Sequence, residues 1–562
     1  MSFIDRTAPE LDNQFGADRV LRTVLQHHMP ADLFDALEDL FHTAGARQQK
    51  QYEAQQGAYS NVPASAYTPW GAETRRPPVP ESWTNARASW VPHGLLHRAQ
   101  AEEHGPHSRM VQMGLVHLMA PEAPGLMELV ATSDIALHTL LRTGTADHLD
   151  TVIPRLTSRT PSEAILADLW GIPDPLGNHS DALRATATEQ GWRLNGRVDT
   201  HAATYPDAAL VLAHDGNDVR HLFLVDTLTP ENGVHIGAPF TSAVHRDAPA
   251  ATLRLQDTTA THLQAEAPRH GPARTLQHIW HAVLTVSHLR RTMALARGAA
   301  ETWNAQGQEL AYNPLVQETL ADMQARYESA FHLTYRCVRL LDAPDADEAL
   351  INLLAPLAAL HATHQAEHVD QRAMHVFGRL GTRRDTGLMA HLNQGHRATG
   401  WHASPHHLAV EIAHRVEHNQ QLGLLRDELK HTMSHLSIET LIGPMKTAVL
   451  AFRDAHEWSD YMRQEGGEAL EAGAYRFAVT LSHALSIGYM IEHGQWALQH
   501  HQDGRAAAAV ERFSQIRINH ITDLDPHDAY VLTWDFNCPT LFECHSGTAG
   551  DAVKDGLESI FG

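Results

Sequence analysis

The chain has 562 residues, 43% of them hydrophobic and 19% charged, a composition that excludes a largely disordered protein. Its 43 lysines and arginines against 66 aspartates and glutamates give a formal net charge of −23, which argues against non-specific binding to nucleic acid. No apolar run is long enough to span a membrane, no secretory signal pattern begins the chain, and Cys337, Cys538 and Cys544 are too few for a disulfide framework. We therefore expect a cytoplasmic protein.

The first part of the chain, residues 1–158, is predicted to be an N-terminal helical domain that includes an extended linker. Apolar residues recur at helical spacing over 31–56, 108–120 and 125–144. Between the first two helices, the proline-rich passage 61–83 has the composition of a connection that crosses the surface.

A middle β domain is predicted over residues 159–270, because the hydrophobic period changes there. Short β-rich segments are separated by Gly, Asn, Asp and Pro, as in a compact antiparallel sandwich or barrel. The segments are 191–198, 208–216, 218–227, 232–240 and 249–258.

Long helices return after residue 271. A helical bundle is predicted over 271–430, and an additional helical region over 431–562 that ends in a β-like aromatic tail. Four long helices are expected within or beginning in the bundle, at 273–303, 314–343, 345–381 and 404–436. The overall fold class is therefore α+β and mainly α.

Several short segments in this order resemble motifs of the acyl-CoA dehydrogenase family. Each is weakly specific alone, but the ordered set covers residues 160 to 415, nearly half of the chain. The segments are GNHSD, WRLNG, YPDAALVLA, FLVDTLTPENGVHI, AYNPL, HVFGRLGT and GWHASPHHLAV. The long N-terminus and the extra C-terminal helices further resemble the AidB-like branch of that family.

The resemblance implies an N-terminal helical domain, a middle β domain and a C-terminal four-helix bundle, assembled as a dimer or tetramer. It also implies α,β-dehydrogenation of an acyl-CoA, in which a glutamate base removes the α-proton and FAD accepts a hydride. An acyl-CoA-like ligand is therefore expected.

The positions that hold FAD in the family are mostly substituted here. Ser180 lies in the segment that resembles the Gly-Ser-Asp turn. The turn after WRLNG carries Asp199 and Ala202 where the family has a flavin-facing aromatic residue and a hydroxyl. Gln308 replaces the arginine that reaches the diphosphate of FAD, and Arg379 replaces a glycine. Gln308 cannot form the charge-assisted fork that an arginine makes with phosphate.

The base position of the family falls on His402, a residue type that can also act as a general base. Three hypotheses follow. In the first, the protein keeps the fold but has lost or weakened FAD binding and dehydrogenation, and serves in a structural, binding or regulatory role. In the second, it is an active FAD-dependent dehydrogenase that uses His402. In the third, it is an AidB-like stress protein that associates with DNA, which the net charge opposes.

Histidine is unusually abundant, with 43 residues spread over the whole chain. His361, His364 and His368 fall on one helix face, where they form either a metal site between helices or, as we favour, part of a polar surface. A further group near the base position is His396, His402, His406 and His407. Because histidine is used everywhere, no metal site is predicted.

Overall fold

The structure is a computed structural model. It describes residues 8–55, 81–144, 150–171, 183–200, 206–229, 232–240, 250–265, 272–305, 307–383, 386–393, 395, 404–416, 419–522 and 526–534. Most of these residues are helical, and a seven-stranded sheet follows the N-terminal helices in the chain. None of the helices in these ranges is long and apolar enough to cross a membrane.

The N-terminal part is helical, and two of its helices begin at side chains that cap them. Asn13 accepts hydrogen bonds from the backbone of Phe15 and Gly16, and Asp18 accepts one from Leu21. The helices are α1 (Gln14–Ala17), α2 (Arg19–His28), α3 (Ala31–Gln55), α4 (Glu81–Trp90), α5 (Leu95–Gln100), α6 (Ser108–Met119), α7 (Pro124–Thr143) and α8 (Ile153–Leu156).

The middle of the chain forms a closed sheet. The strands are β1 (Ala167–Trp170), β2 (Arg184–Thr188), β3 (Gly191–Thr200), β4 (Ala208–His214), β5 (Arg220–Asp226), β6 (Val234–Phe240) and β7 (Ala250–Ala265). Strands β2, β3, β7, β5 and β4 pair in a ring, while β1 pairs with β4 and β6 with β7. The predicted middle β domain is therefore confirmed, and of the sandwich and barrel that the sequence left open, this ring of pairings corresponds to a barrel.

Strand β3 bends where a β-bulge interrupts its pairing with β7, between Leu194 and Gly196. Gly196 has a φ of 138°, a backbone conformation that favours glycine. The interior of the barrel is apolar, with Leu194, Phe223 and Leu253 fully or almost fully buried.

The C-terminal half contains the long helices. They are α9 (Pro272–Thr302), α10 (Pro314–Asp342), α11 (Glu348–Phe377), α12 (Leu388–Asn393), α13 (Pro405–Arg415), α14 (Asn419–Ser434), α15 (Ile442–Glu465), α16 (Gly467–His501), α17 (Arg505–Ser514) and α18 (Pro526–Trp534). A short hairpin, β8 (Asn304–Ala305) and β9 (Gln308–Glu309), lies between α9 and α10. Helices α9, α10 and α11 pack on one another and form the centre of the bundle.

Two sequence predictions in this half are wrong. The single helix expected over 404–436 is two helices, since α13 ends at Arg415 and α14 begins at Asn419. The tail expected to be β-like is helical over α18, which begins at Pro526, and its residues after Trp534 lie outside the described residues. Proline at the first helical position has no N–H to lose and a favourable φ, and this start signal outweighed the aromatic composition.

A buried carboxylate joins four helices at the centre of the molecule. Asp18, at the start of α2, accepts hydrogen bonds from His117 Nε2 of α6 at 3.0 Å and from Tyr327 Oη of α10 at 2.9 Å. Arg290 Nε of α9 lies 3.2 Å from the same oxygen. Burial opposes ionisation of Asp18, but Arg290 and His117 outweigh it and hold its pKa well below the ordinary value.

We expect Asp18→Asn to destabilise the protein by about 3–5 kcal/mol, because Arg290 would remain buried without its counter-charge. The midpoint of urea unfolding, followed by circular dichroism, measures this loss. Asp12→Asn, at an exposed position nearby, is the matched control and should change the free energy of unfolding by less than about 0.5 kcal/mol. Equal losses in the two variants would contradict the central role of Asp18.

Candidate functional site

Two of the predicted cofactor residues lie at one end of the bundle. Trp303, at the end of α9, contacts Phe377, at the end of α11, with ring centroids 6.4 Å apart. Gln308 follows Trp303 in the β8–β9 hairpin, and Arg379 follows Phe377 in the 3-10 turn Gly378–Thr382. Both Gln308 and Arg379 are exposed. The neutral amide of Gln308 and the guanidinium of Arg379 therefore both face solvent at this end of the bundle.

Of the other four predicted site residues, the structure describes only Asp199. Strand β3 runs to Thr200, so Asp199 lies within a strand, opposite Thr252 of β7, and the turn expected at Asp199 is wrong. The cause is the length of β7, whose 16 residues give β3 a partner beyond the bulge. Ser180, Ala202 and His402 lie outside the described residues.

A carboxylate–imidazole pair lies beside Gly395. His288 Nε2 of α9 is 3.0 Å from Asp370 Oδ2 of α11, and Thr292 donates to the other oxygen of Asp370 at 3.1 Å. The ring of His391 stacks on that of His288, with centroids 4.5 Å apart. A Cβ on Gly395 would come within 2.1 Å of Asp370 Oδ2, so only glycine allows the chain to pass this pair.

A second buried carboxylate joins α13 to the start of α9. Glu411 is 3.0 Å from His278 Nε2, 2.6 Å from Arg415 Nη2 and 3.4 Å from Arg274 Nη2. Burial alone would raise the pKa of Glu411, but His278 and the two arginines lower it well below its ordinary value. His407, a member of the predicted histidine group, lies 3.7 Å from Glu411 and belongs to this network.

Strand β1 carries a third buried carboxyl group, Asp168, which sequence reasoning missed. Burial raises the pKa of Asp168 to about 6, although Trp170 Nε1 donates to it at 2.9 Å. Ser133 and Thr132 of α7 hold the strand through hydrogen bonds to the backbone of Ala167. An aspartate within an otherwise apolar strand was the available signal.

Two of the three predicted histidines of α11, His361 and His364, lie in the core, so the polar surface predicted for them is wrong. His361 is fully buried, and its Nε2 is 3.1 Å from Ser329 Oγ. His364 is 9% exposed and contacts Tyr475 Oη at 2.9 Å, whereas His368 is only partly buried. Because α16 and α17 cover this face of α11, the helix lies inside the molecule.

The core histidines form hydrogen bonds with neighbouring polar groups. Gln365 donates to His483 Nε2 at 3.1 Å, and His483 Nδ1 lies 3.3 Å from the carbonyl oxygen of Ile518. That pattern requires a neutral imidazole with its proton on Nδ1. Over the described ranges, no group of three or more His, Cys, Asp or Glu side chains has the arrangement of a metal site.

Comparison with known proteins identifies relatives of this chain. Residues 276–403, from α9 to the segment before α13, match the family model described as the acyl-CoA dehydrogenase C-terminal domain. Acyl-CoA dehydrogenase family member 11 of Caenorhabditis elegans is 23% identical over 441 residues, which cover 72% of this chain and 71% of that protein. These comparisons support the resemblance to the acyl-CoA dehydrogenase family, which the family model shows over residues 276–403. The motif resemblance in the sequence is thus confirmed.

Two solved structures have the same fold as this chain. The crystal structure of Caenorhabditis elegans ACDH-11 in complex with C11-CoA has a TM-score of 0.84 and 19% identity, and the match covers 97% of this chain and 98% of that one. An acyl-CoA dehydrogenase from Bacillus anthracis complexed with FAD has a TM-score of 0.64 and 16% identity, and the match covers 82% and 84% of the two chains.

We expect acid to destabilise the protein between about pH 6.5 and pH 4. Burial lowers the pKa of His27 and His278 to about 4, and of His281, His364 and His493 to about 3. Between these values and the unfolded value near 6.5, the unfolded chain binds more protons, so stability falls as pH falls. Each histidine contributes up to about 1.4 kcal/mol per pH unit.

Urea unfolding midpoints at a series of pH values measure this dependence. His364→Gln, which cannot titrate, should flatten the slope, whereas the matched variant His435→Gln, at an exposed histidine, should leave it unchanged. A profile that stays flat down to pH 4 would show that the buried histidines do not control acid stability.

Proposed function

We propose that this protein is an acyl-CoA-binding member of the family in which FAD binding and dehydrogenation are lost or weakened, acting as a homo-oligomer in a binding or regulatory role. The observation that carries the proposal is Gln308. Gln308 occupies the position of the arginine that reaches the diphosphate in the family, in the hairpin next to the Trp303–Phe377 contact, and it is neutral. Replacing a charge-assisted hydrogen bond to phosphate with a neutral one costs on the order of 1–2 kcal/mol.

The donor set at this end of the bundle therefore fits FAD poorly. Arg379 is the guanidinium nearest in sequence to the Phe377 end, but it replaces a glycine of the family motif, and it is exposed to solvent. We derive no chemical step through flavin for this chain.

The acyl-CoA part of the proposal rests on the relatives. The ACDH-11 structure contains C11-CoA, and its fold matches this chain over nearly the full length of both.

An active dehydrogenase is the second candidate, and Arg379 is the observation that favours it. Its guanidinium lies at the same end of the bundle as Gln308 and could supply the missing charge from the other element. His402 would then serve as the base. The flavin titration below separates the two candidates.

We expect the purified protein to lack stoichiometric absorbance near 450 nm and to bind added FAD weakly. Gln308→Arg should strengthen FAD binding by about tenfold or more, because the arginine restores a charge-assisted contact. Gln317→Arg adds the same charge at an exposed position on α10 and should have little effect. A yellow wild-type protein with one flavin per chain would overturn the proposal in favour of the active enzyme.

We expect undecanoyl-CoA to bind the flavin-free protein at about micromolar concentration, since the acyl chain leaves water for an apolar interior. Isothermal titration calorimetry measures the affinity, and free CoA is the control that should bind much more weakly. No reduction of an artificial electron acceptor should occur with undecanoyl-CoA, even with FAD added. Absence of acyl-CoA binding would refute the binding role, whatever the flavin result.

A further inference from the structure

Helix α15 has a buried face that packs against α16 and an outer face that also carries apolar residues. On the outer face, Ile442 is 54% exposed, Val449 37%, Leu450 38% and Tyr461 55%. Because two or three whole turns separate them, these four residues share one side of the helix. Single exposed apolar residues are ordinary on a protein surface, but four on one side of a helix form a patch that a partner can cover.

The same side of α15 is basic towards its start and acidic towards its end. Lys446 is exposed and forms no ion pair with any residue in the described part of the chain. Glu457 is largely exposed, and its contact with Arg453 is long, at 3.8 Å, because the Arg453 guanidinium lies closer to Asp454, at 2.8 Å. Lys446 and Glu457 can therefore both pair with charges of another molecule.

A second copy of α15 in antiparallel orientation matches this pattern. When a helix packs on its own copy about a two-fold axis, the numbers of two residues that lie level with each other add to a constant. With the axis at the middle of the outer face, Lys446 lies level with Glu457 of the second copy, and Ile442 lies level with Tyr461 of the second copy. The symmetry repeats both pairs, whereas a parallel orientation would place the two Lys446 side chains together.

The size of α15 limits the strength of such a contact. Its 24 residues make a helix roughly 36 Å long, and a helix is about 10 Å wide, so the contact buries roughly 400 Å² on each copy. Stable interfaces bury about 1,200–2,000 Å² over both partners. We therefore expect a weak and reversible contact with a dissociation constant of about 10–100 μM.

We propose that α15 is a self-association surface on which a second copy of this chain packs antiparallel, with Lys446 of each copy beside Glu457 of the other. The inference rests on the homo-oligomer part of the proposed function and names the surface where two copies meet. It does not depend on acyl-CoA binding. A lipid surface fits this face less well, because the face contains Glu457 and the chain has a net charge of −23, which anionic headgroups repel.

Sedimentation velocity of the full-length protein, from about 1 to 200 μM, tests the proposal. Wild type should show an association step that depends on concentration. Glu457→Lys should raise the dissociation constant of that step by about tenfold, since it replaces two attractions in each interface by two repulsions. Lys446→Glu combined with Glu457→Lys should restore the constant to within about threefold of wild type. Glu511→Lys, at an exposed position on α17, is the matched control and should associate like wild type.

Leu450→Ser tests the apolar part of the face and should weaken the same step by about fivefold with an unchanged thermal midpoint. All variants should bind undecanoyl-CoA as wild type does. If Glu457→Lys associates like wild type, or if the double variant stays dissociated, the inference is overturned, while association through another face would leave the homo-oligomer intact. A wild type that stays monomeric overturns both, and binding to phosphatidylcholine vesicles that Leu450→Ser abolishes, without self-association, would assign the face to lipid instead.

The acyl-CoA measurement separates this inference from the proposed binding role. A wild type that associates as described but does not bind undecanoyl-CoA would refute the binding role and leave the α15 contact in place.

Discussion

The ionised carboxylate of Asp18 is the constraint on which the arrangement of the helices depends. A buried charge is tolerated only when groups of opposite charge and hydrogen-bond donors surround it. Three such partners of Asp18 come from α6, α9 and α10. Asp18 also caps α2, so the start of the chain is fixed against the bundle. Arg505 extends the same polar centre to α17 through an ion pair with Glu328, next to Tyr327 in the sequence. One polar centre thereby orders helices that are separated by hundreds of residues.

The interior of the bundle is unusually polar because it contains several buried histidines. These histidines determine how the stability of the bundle depends on pH. His361 and His483 occupy core positions with ring centroids 5.4 Å apart, where aliphatic residues would pack equally closely. A neutral imidazole forms hydrogen bonds with neighbouring polar groups and so favours one arrangement of the helices. A charged imidazole would instead repel a neighbouring charged imidazole. The same residues that specify the packing also make it sensitive to acid.

The sequence predicted the elements in which periodicity is sustained, and failed where local signals compete. The long helices α9 and α10 and the barrel strands β4 and β5 were predicted to within a few residues, because a repeated apolar pattern averages over many positions. Strands β1 and β2 were not predicted, since four or five residues carry too short a pattern. The pairs Asp370–His288 and Glu411–His278 join residues more than 80 positions apart, and spacing within one element cannot reveal them.

Exposed and buried positions differ in how strongly the fold depends on them. Gln308 and Arg379 are exposed, so substitution there has little effect on the free energy of unfolding. Leu126, Leu129 and Trp83 are buried, and each would cost several kcal/mol to replace by a small residue. The fold therefore tolerates change at Gln308 and Arg379 more readily than in its apolar interior.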